Sequence, residues 1–411
     1  MVAAAIFFAA YLALALNKLW ALRYGADTGT FLQWLVNEAH GRGSWNGAEY
    51  RPHLQVHDSW TLLALVPLVA LFPYVQTLLV VQVLAVASSG IALCVFVRVC
   101  GGDARSASFA GIAFLLTPAA QGLAYGNFLE NVFVPLLATL GATFVRLRRF
   151  WPALIVAQAL LGLKEDEALF LMWFGAACAL WWDRRIGWSV AGLALLNGAG
   201  FAIAEHLHGA VPSIPAYGVH VDMPFVKLAS FAALLASFGF VPLWLGRRLL
   251  LAAPLVAEVA FNKPWAYDIS RVGTHWMAPL LAATAIGAAF AVARNRRLAV
   301  PLLAGALVCA LFFNDTVLKI GRWPYVVDRA AFAHARALGG TPSDVVIPRS
   351  DEGAYAVAAA SLHVLLARSR PNDMATCSPY NRDARAFFAS LGIGTWPANT
   401  ALCLGVPVPA K

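Results

Sequence analysis

The sequence predicts an all-α protein that crosses a membrane many times. Only 12% of its 411 residues are Asp, Glu, Lys or Arg, whereas 60% are apolar by the inclusive count. A soluble domain typically carries about 25% charged residues. The apolar residues form continuous runs, among them Ala4–Leu16, Leu62–Val97, Phe109–Leu116 and Val132–Phe144. These runs do not alternate with period two, so helices rather than barrel strands are expected to satisfy the buried backbone. A collagen, a disordered chain, a disulfide miniprotein and an ordinary cytosolic enzyme are excluded.

A crossing helix needs about 20 mostly apolar residues. Eleven spans are expected, near 2–22, 75–98, 107–124, 131–147, 150–163, 168–182, 187–204, 228–246, 249–262, 274–293 and 298–313. The segment 150–163 would rise only about 21 Å, so it is expected to be tilted, broken or stopped in a water-filled cavity. No positive charge precedes the first apolar run, and a cleavable signal peptide is not expected.

Charge sets the expected orientation. Arg98/Arg105, Arg146/Arg148/Arg149, Arg184/Arg185, Arg247/Arg248 and Arg294/Arg296/Arg297 fall on alternate turns, and the positive-inside rule places these twelve arginines in the cytoplasm. The N-terminus is then cytoplasmic, and everything after Phe313 lies outside. Of fourteen Asp and Glu through residue 313, only Asp103 and Asp183 fall on the arginine-bearing turns. The other twelve acids, with all seven histidines of that region, fall at the opposite face. The bulk net charge of +9 therefore averages inner turns at +10, an outer membrane-domain face at −4 and a tail at +3. Acids at the ends of apolar helices are costly and usually face a cavity or a partner.

The first outer loop, 23–58, is the richest in ionisable groups. Asp27-Thr-Gly-Thr-Phe31-Leu-Gln33-Trp34-Leu-Val-Asn37-Glu-Ala-His40-Gly reads as a short helix on or just under the outer membrane surface, stopping at Gly41. Asp27 would sit at its N-terminus, where free N–H groups favour a carboxylate whether it caps or catalyses. His53-Leu-Gln-Val-His57-Asp58-Ser-Trp60 follows. His53 and His57 are four apart and, with Asp58 and Asp27, offer ligands for a divalent cation; solvated loop histidines are the simpler alternative. The run 61–71 is too short to cross, ends at Phe72-Pro73 and is expected to be a half-helix or interfacial helix.

The elements Asp27-x-Gly29-x-Phe31-x-Gln33, His40-Gly41-Arg42-Gly43, His57-Asp58 and the half-helix ending in Leu-Phe-Pro resemble the start of a large group of bacterial membrane proteins catalogued as domain of unknown function 2079. Lys164-Glu165-Asp166-Glu167 is similar to that group's Lys-Glu-Asp motif, and Glu130 falls where it carries His-Pro-Glu. Two departures stand out: His57 precedes Asp58 where the family has Asp before His, and Phe128-Leu129 replace the His-Pro pair. The order of short helix, His/Asp element, half-helix and second span is also similar to GT-C glycosyltransferases, which include protein mannosyltransferases and arabinosyltransferases. Together these cover roughly residues 20–300.

The resemblance implies a GT-C-like bundle of about eleven transmembrane helices over 1–313, with a small α/β outer region over 314–411. It implies sugar transfer from a polyprenyl-phosphate donor to a glycan, lipid or protein acceptor, at the outer face of a bacterial cytoplasmic membrane. No nucleic acid is an expected partner. Asp27 is the expected base, with Glu165 the second catalytic acid; Gln33, His57, Glu130, Lys164, Arg271 and His275 are expected to bind substrate. The departing phosphate would be met by a cation such as Lys164, or by Mg or Mn held by His57 and Asp58. Glu165, Asp166 and Glu167 are consecutive, so at most one or two share a helical face.

Asn262-Lys263-Pro-Trp265-Ala-Tyr267-Asp268, with Arg271 and His275-Trp276, reads as an aromatic outer loop. It is expected to be an interfacial belt, with a sugar-stacking surface as the alternative. The 206–227 loop is expected to cover the site. In the tail, 344–348 reads as a strand, and 355–367 and 382–391 as helices. An oxidising exterior permits a Cys377–Cys403 disulfide without requiring it. The competing functions are a transporter or flippase with an outward acidic cavity, and a non-catalytic scaffold. The sequence shows no convincing internal repeat of the kind transporters carry.

Overall fold

The computed structural model describes residues 1–21, 24, 26–41, 43–46, 51–207, 224–261, 277–314, 345–348, 365–366 and 401–404. Helices dominate. They are α1 (Val2–Trp20), α2 (Ala26–Ala39), α3 (Val66–Leu71), α4 (Val75–Val99), α5 (Ala104–Leu116), α6 (Pro118–Tyr125) and α7 (Val134–Arg146), then α8 (Phe150–Leu161), α9 (Glu167–Trp181), α10 (Arg184–Leu207), α11 (Pro224–Ser237), α12 (Ala253–Phe261), α13 (Ala278–Arg294) and α14 (Ala299–Phe313). The described parts of the expected spans are largely helical, but 107–124 is broken at Thr117 and 228–246 at a turn over 238–240, and full crossing length is rarer. Among the described residues, Val2–Trp20, Val75–Val99, Arg184–Ala204 and Arg296–Phe313 are long and apolar enough to cross, and the bent pair α5–α6 makes a fifth. Helices such as α8, with 12 residues, rise only about 18 Å and do not cross alone. Exposed apolar side chains such as Trp151, Ile155, Leu196, Phe225 and Phe312 cover these helices with a surface suited to lipid.

The chain forms two compact units. The first comprises Met1–Leu12, Gln82–Gly126 and Glu130–Trp323; the second comprises Ala13–Val81, Asn127–Leu129 and Pro324–Lys411.

In the first unit the α5–α6 break follows directly from sequence. Pro118 disfavours helical backbone at Thr117, which is extended at φ −63°, ψ 137°, and the helices bend by 57°. Breaking a helix among apolar neighbours frees carbonyls that must find donors. Gln121 Nε2 donates to the carbonyls of Leu115 at 3.3 Å and Leu116 at 3.0 Å, while its Oε1 accepts from Tyr11 at 2.6 Å. Thr117 Oγ1 accepts from Ala120 N and so starts α6.

Small residues set the packing of α9 against α10. A Cβ on Gly187 would overlap the backbone of Ala179, and one on Gly175 would lie 2.6 Å from Ala191 N. Close backbone approach of this kind is a common device in membrane helix pairs. Gly239, at φ +58°, turns the chain after α11 with the Pro301 carbonyl where a Cβ would stand.

In the second unit α2 runs as expected and ends at Gly41, whose φ of +67° is the left-handed stop that glycine adopts without strain. Residues 28–37 of α2 are all buried. The helix is therefore enclosed by protein over these residues, as suits a segment with apolar residues on several faces. A 3₁₀ turn over Trp60–Leu65 leads into α3, which stops at Phe72-Pro73 as the proline dictates. Strands β1 (Trp45–Asn46) and β2 (Arg51–Pro52) pair antiparallel.

In the tail, β3 (Val345–Pro348) lies between β4 (Leu365–Leu366) and β5 (Ala401–Leu404) in a parallel sheet. The segment 345–348 is thus a strand, as the sequence suggests. Leu365–Leu366, expected at the end of a helix, is instead extended; a short apolar run fits either state, and pairing with Val345–Val346 decides it. The rest of the expected tail helices, the 262–276 loop with Arg271 and His275, most of the 206–227 loop and Cys377 lie outside the described residues.

Candidate functional site

The first turn of α2 carries Asp27, whose side chain is exposed on an otherwise enclosed helix. Asn127 Nδ2 donates to Asp27 Oδ2 at 3.0 Å. One residue on, the Phe128 backbone N–H donates to Thr28 Oγ1 at 3.1 Å. The 127–129 segment is thereby tied to the start of α2 by adjacent residues, and its anchor is apolar: Phe128 is fully buried and meets Phe31 edge-on at 5.7 Å. Phe128 serves as packing.

Behind Phe31 lies His53, fully buried, with its ring 4.2 Å from Trp34 and 5.2 Å from Phe31. His57 follows at 5.5 Å from His53. Glu38 closes the far end of α2, accepting from Trp34 Nε1 at 3.3 Å and Ser44 Oγ at 2.6 Å. An exposed carboxylate, oriented by an amide and standing on a rigid aromatic base, is a suitable proton acceptor for a bound hydroxyl.

The first unit holds a charged cluster. The antiparallel hairpin of α7 and α8 places Glu130, in the turn Glu130–Phe133 before α7, at the same end as Lys164, in the link after α8. Lys164 and Glu130 are both buried. Lys164 Nζ lies 3.2 Å from Asp166 Oδ2. Burial alone would push the ammonium below its ordinary range. The negative charges of Asp166, Glu130 and Glu165 outweigh it and hold Lys164 above that range, fully charged.

The carbonyls of Lys164, Glu165 and Asp166 accept the first N–H groups of α9. The three acids 165–167 thus crowd a helix N-terminus, where negative charge is favoured. Of these, Glu167 is the fully buried one, while Glu165 and Asp166 are half-buried.

This geometry accompanies one family match. Residues 18–206 match the family described as "Predicted membrane protein (DUF2079)". The matched stretch contains α2, the His53–Asp58 element, Glu130 and the Lys164 cluster. No curated protein matches the chain.

The expected residues divide between the two units. Glu130, Glu165 and Lys164 share one cluster. Asp27 belongs to the other unit with His57, Asp58 and Gln33, the last buried within α2. Among the described residues, no three His, Cys, Asp or Glu side chains converge as metal ligands. His57 and Asp58 alone supply two side-chain ligands, fewer than a closed site needs. Asn127 and Thr28 are absent from the residues the sequence points to, and Glu167 is among the three acids it names but not the one expected in the site. Glu167 was discoverable, because positions 167, 170 and 171 share the buried face of α9. Asn127 gave no local signal, since its partner is 100 residues away.

Proposed function

We propose that the protein is a membrane-embedded glycosyltransferase. It moves a sugar from a polyprenyl-phosphate donor to an acceptor at the outer face of the bacterial cytoplasmic membrane, within a bundle of about eleven membrane-embedded segments. The observation that carries this reading is the exposed Asp27 carboxylate, held through Oδ2 by Asn127 at the start of an enclosed helix.

In this reaction Asp27 Oδ1 takes the proton of an acceptor hydroxyl. The hydroxyl oxygen bonds to the anomeric carbon, and the bond from that carbon to the phosphate oxygen breaks with its electron pair passing to the phosphate. His57 and Gln33 enter the reading as substrate-orienting groups of the same segment, and Arg271 and His275 as sugar or phosphate contacts. Lys164, with Glu130 and Glu165, enters as the cation expected for the departing phosphate; Glu165 remains the second carboxylate to test. A cation held by His57 and Asp58 is an optional part of the reading, tested by activity in EDTA with and without Mg or Mn.

The test is transfer of labelled sugar from polyprenyl-phosphate donors in membranes containing the full chain. A labelled product that depends on the protein supports the reading. Translocation of the lipid-linked sugar without any new glycosidic bond would replace it with a flippase.

A further inference from the structure

The first unit also contains an apolar cavity of about 400 Å³, set between α9, α11, the turn after α11 and α13. Its walls include Phe174, Phe231, Leu235, Ala283 and Phe290, and its polar lining is sparse. At about 30 Å³ per water-sized volume, it has room for roughly a dozen such units, the order of one acyl chain.

Trp182 and Phe290 form one part of the wall, with ring centroids 5.7 Å apart. Three arginines from three different turns gather on this aromatic pair. Arg248 lines the cavity and lies 5.7 Å from the Phe290 ring; Arg294 lies 4.9 Å and Arg146 6.0 Å from it. Arg146 also lies 5.9 Å from Trp182. Among the described residues none of the three pairs with a carboxylate. Arg146 Nε is buried without a hydrogen-bond partner there. This part of the wall is remote from Lys164: Arg146 ends α7 whereas Glu130 precedes it, and Trp182 follows α9 whereas Lys164 precedes it.

An apolar slot beside three guanidinium groups that meet no carboxylate among the described residues is complementary to an amphiphile with an anionic head. We infer that this cavity binds an anionic glycerophospholipid from the leaflet on the arginine side, one acyl chain in the slot and the headgroup phosphate on Arg146, Arg248 and Arg294. The guanidinium fork suits phosphate oxygens, and burial among apolar walls selects a chain-bearing ligand over free phosphate. The site is independent of the sugar-transfer reading and would persist if that reading failed.

The experiment uses the full chain in nanodiscs of equimolar phosphatidylglycerol and phosphatidylcholine, followed by detergent extraction and native mass spectrometry. Phosphatidylglycerol is expected to be retained over phosphatidylcholine. Each of Arg146→Gln, Arg248→Gln and Arg294→Gln is expected to lower that ratio about fivefold. Ala283→Phe, which fills the slot without altering charge, is expected to remove retention of both lipids. Arg248→Lys keeps the charge and is expected to keep the preference, which separates charge loss from misfolding. Equal retention of the two lipids, an unchanged ratio in the triple variant, or full displacement by glycerol phosphate, which has no chains, would each overturn the assignment.

Discussion

Asn127 and Asp27, 100 residues apart in sequence, are joined by a 3.0 Å hydrogen bond from the amide Nδ2 to Oδ2. The bond holds the exposed carboxylate through Oδ2 and leaves Oδ1 outside that contact. If Asp27 is the base, Asn127 is a positioning residue. Asn127→Ala is expected to lower the rate of sugar transfer about tenfold, the order expected for losing one hydrogen bond to a charged group. KM for the donor should stay unchanged, as should protein abundance. A variant with wild-type rate would remove Asn127 from the reaction.

Lys164 is expected to matter for stability before chemistry. Lys164→Met strands Asp166 and Glu130 beside an apolar side chain, and breaking a buried pair from one side typically costs about 3–5 kcal/mol. Lys164→Arg keeps the charge and should retain most of that stability. Thermal unfolding of both variants in detergent checks the order.

The same cluster makes a pH prediction. The three acids hold the folded Lys164 above the ordinary lysine range. Its contribution is therefore fully present below the unfolded pKa of about 10.4. It is lost only as pH rises through the higher folded value. Unfolding temperature should show no loss attributable to Lys164 between about pH 6 and pH 9, and comparison of wild type with Lys164→Arg measures it. A wild-type-specific fall in that window would mean that the acids do not hold the lysine charged.

Gln121 satisfies Leu115 and Leu116 where Pro118 breaks the α5–α6 pair. Gln121→Leu preserves bulk but leaves those carbonyls and the Tyr11 hydroxyl without this partner. A loss of about 1–3 kcal/mol is expected, read as a lower unfolding midpoint. Gln121→Glu supplies no amide donor and should not rescue it.

The α9–α10 contact yields a paired test. Gly187→Leu places a side chain into the Ala179 backbone, whereas Gly192 has open space at its Cβ position. Gly187→Leu is expected to destabilise by about 1–3 kcal/mol or more, and Gly192→Ala to be tolerated. Equal effects would contradict the close approach of these helices.

Much of the helical layout was legible because apolar runs and breakers are local signals. The segment expected at 75–98 is α4, Val75–Val99, and the expected stops at Gly41 and Pro73 occur where backbone chemistry dictates. Crossing length was less legible, because one apolar run in sequence becomes two short helices at Thr117-Pro118. The Lys-Glu-Asp cluster was visible as a motif, but which acid is buried depends on the phase of α9, and Glu167 rather than Glu165 faces inward. The Asp27 anchor was invisible for a different reason. Asn127 is an ordinary loop residue until folding brings it to α2, and no spacing rule links positions so distant. The Leu365–Leu366 strand was likewise decided by its partner rather than by its own propensity.

The central claim is that Asp27 is the base of a sugar transfer. The most direct measurement compares wild type with Asp27→Asn, an isosteric change that keeps a side chain able to meet Asn127, using labelled polyprenyl-phosphate sugar in reconstituted membranes. Product is expected to fall by at least about a hundredfold, the lower range for a general base, with folding and lipid retention intact. Product formed by Asp27→Asn at the wild-type rate would contradict it.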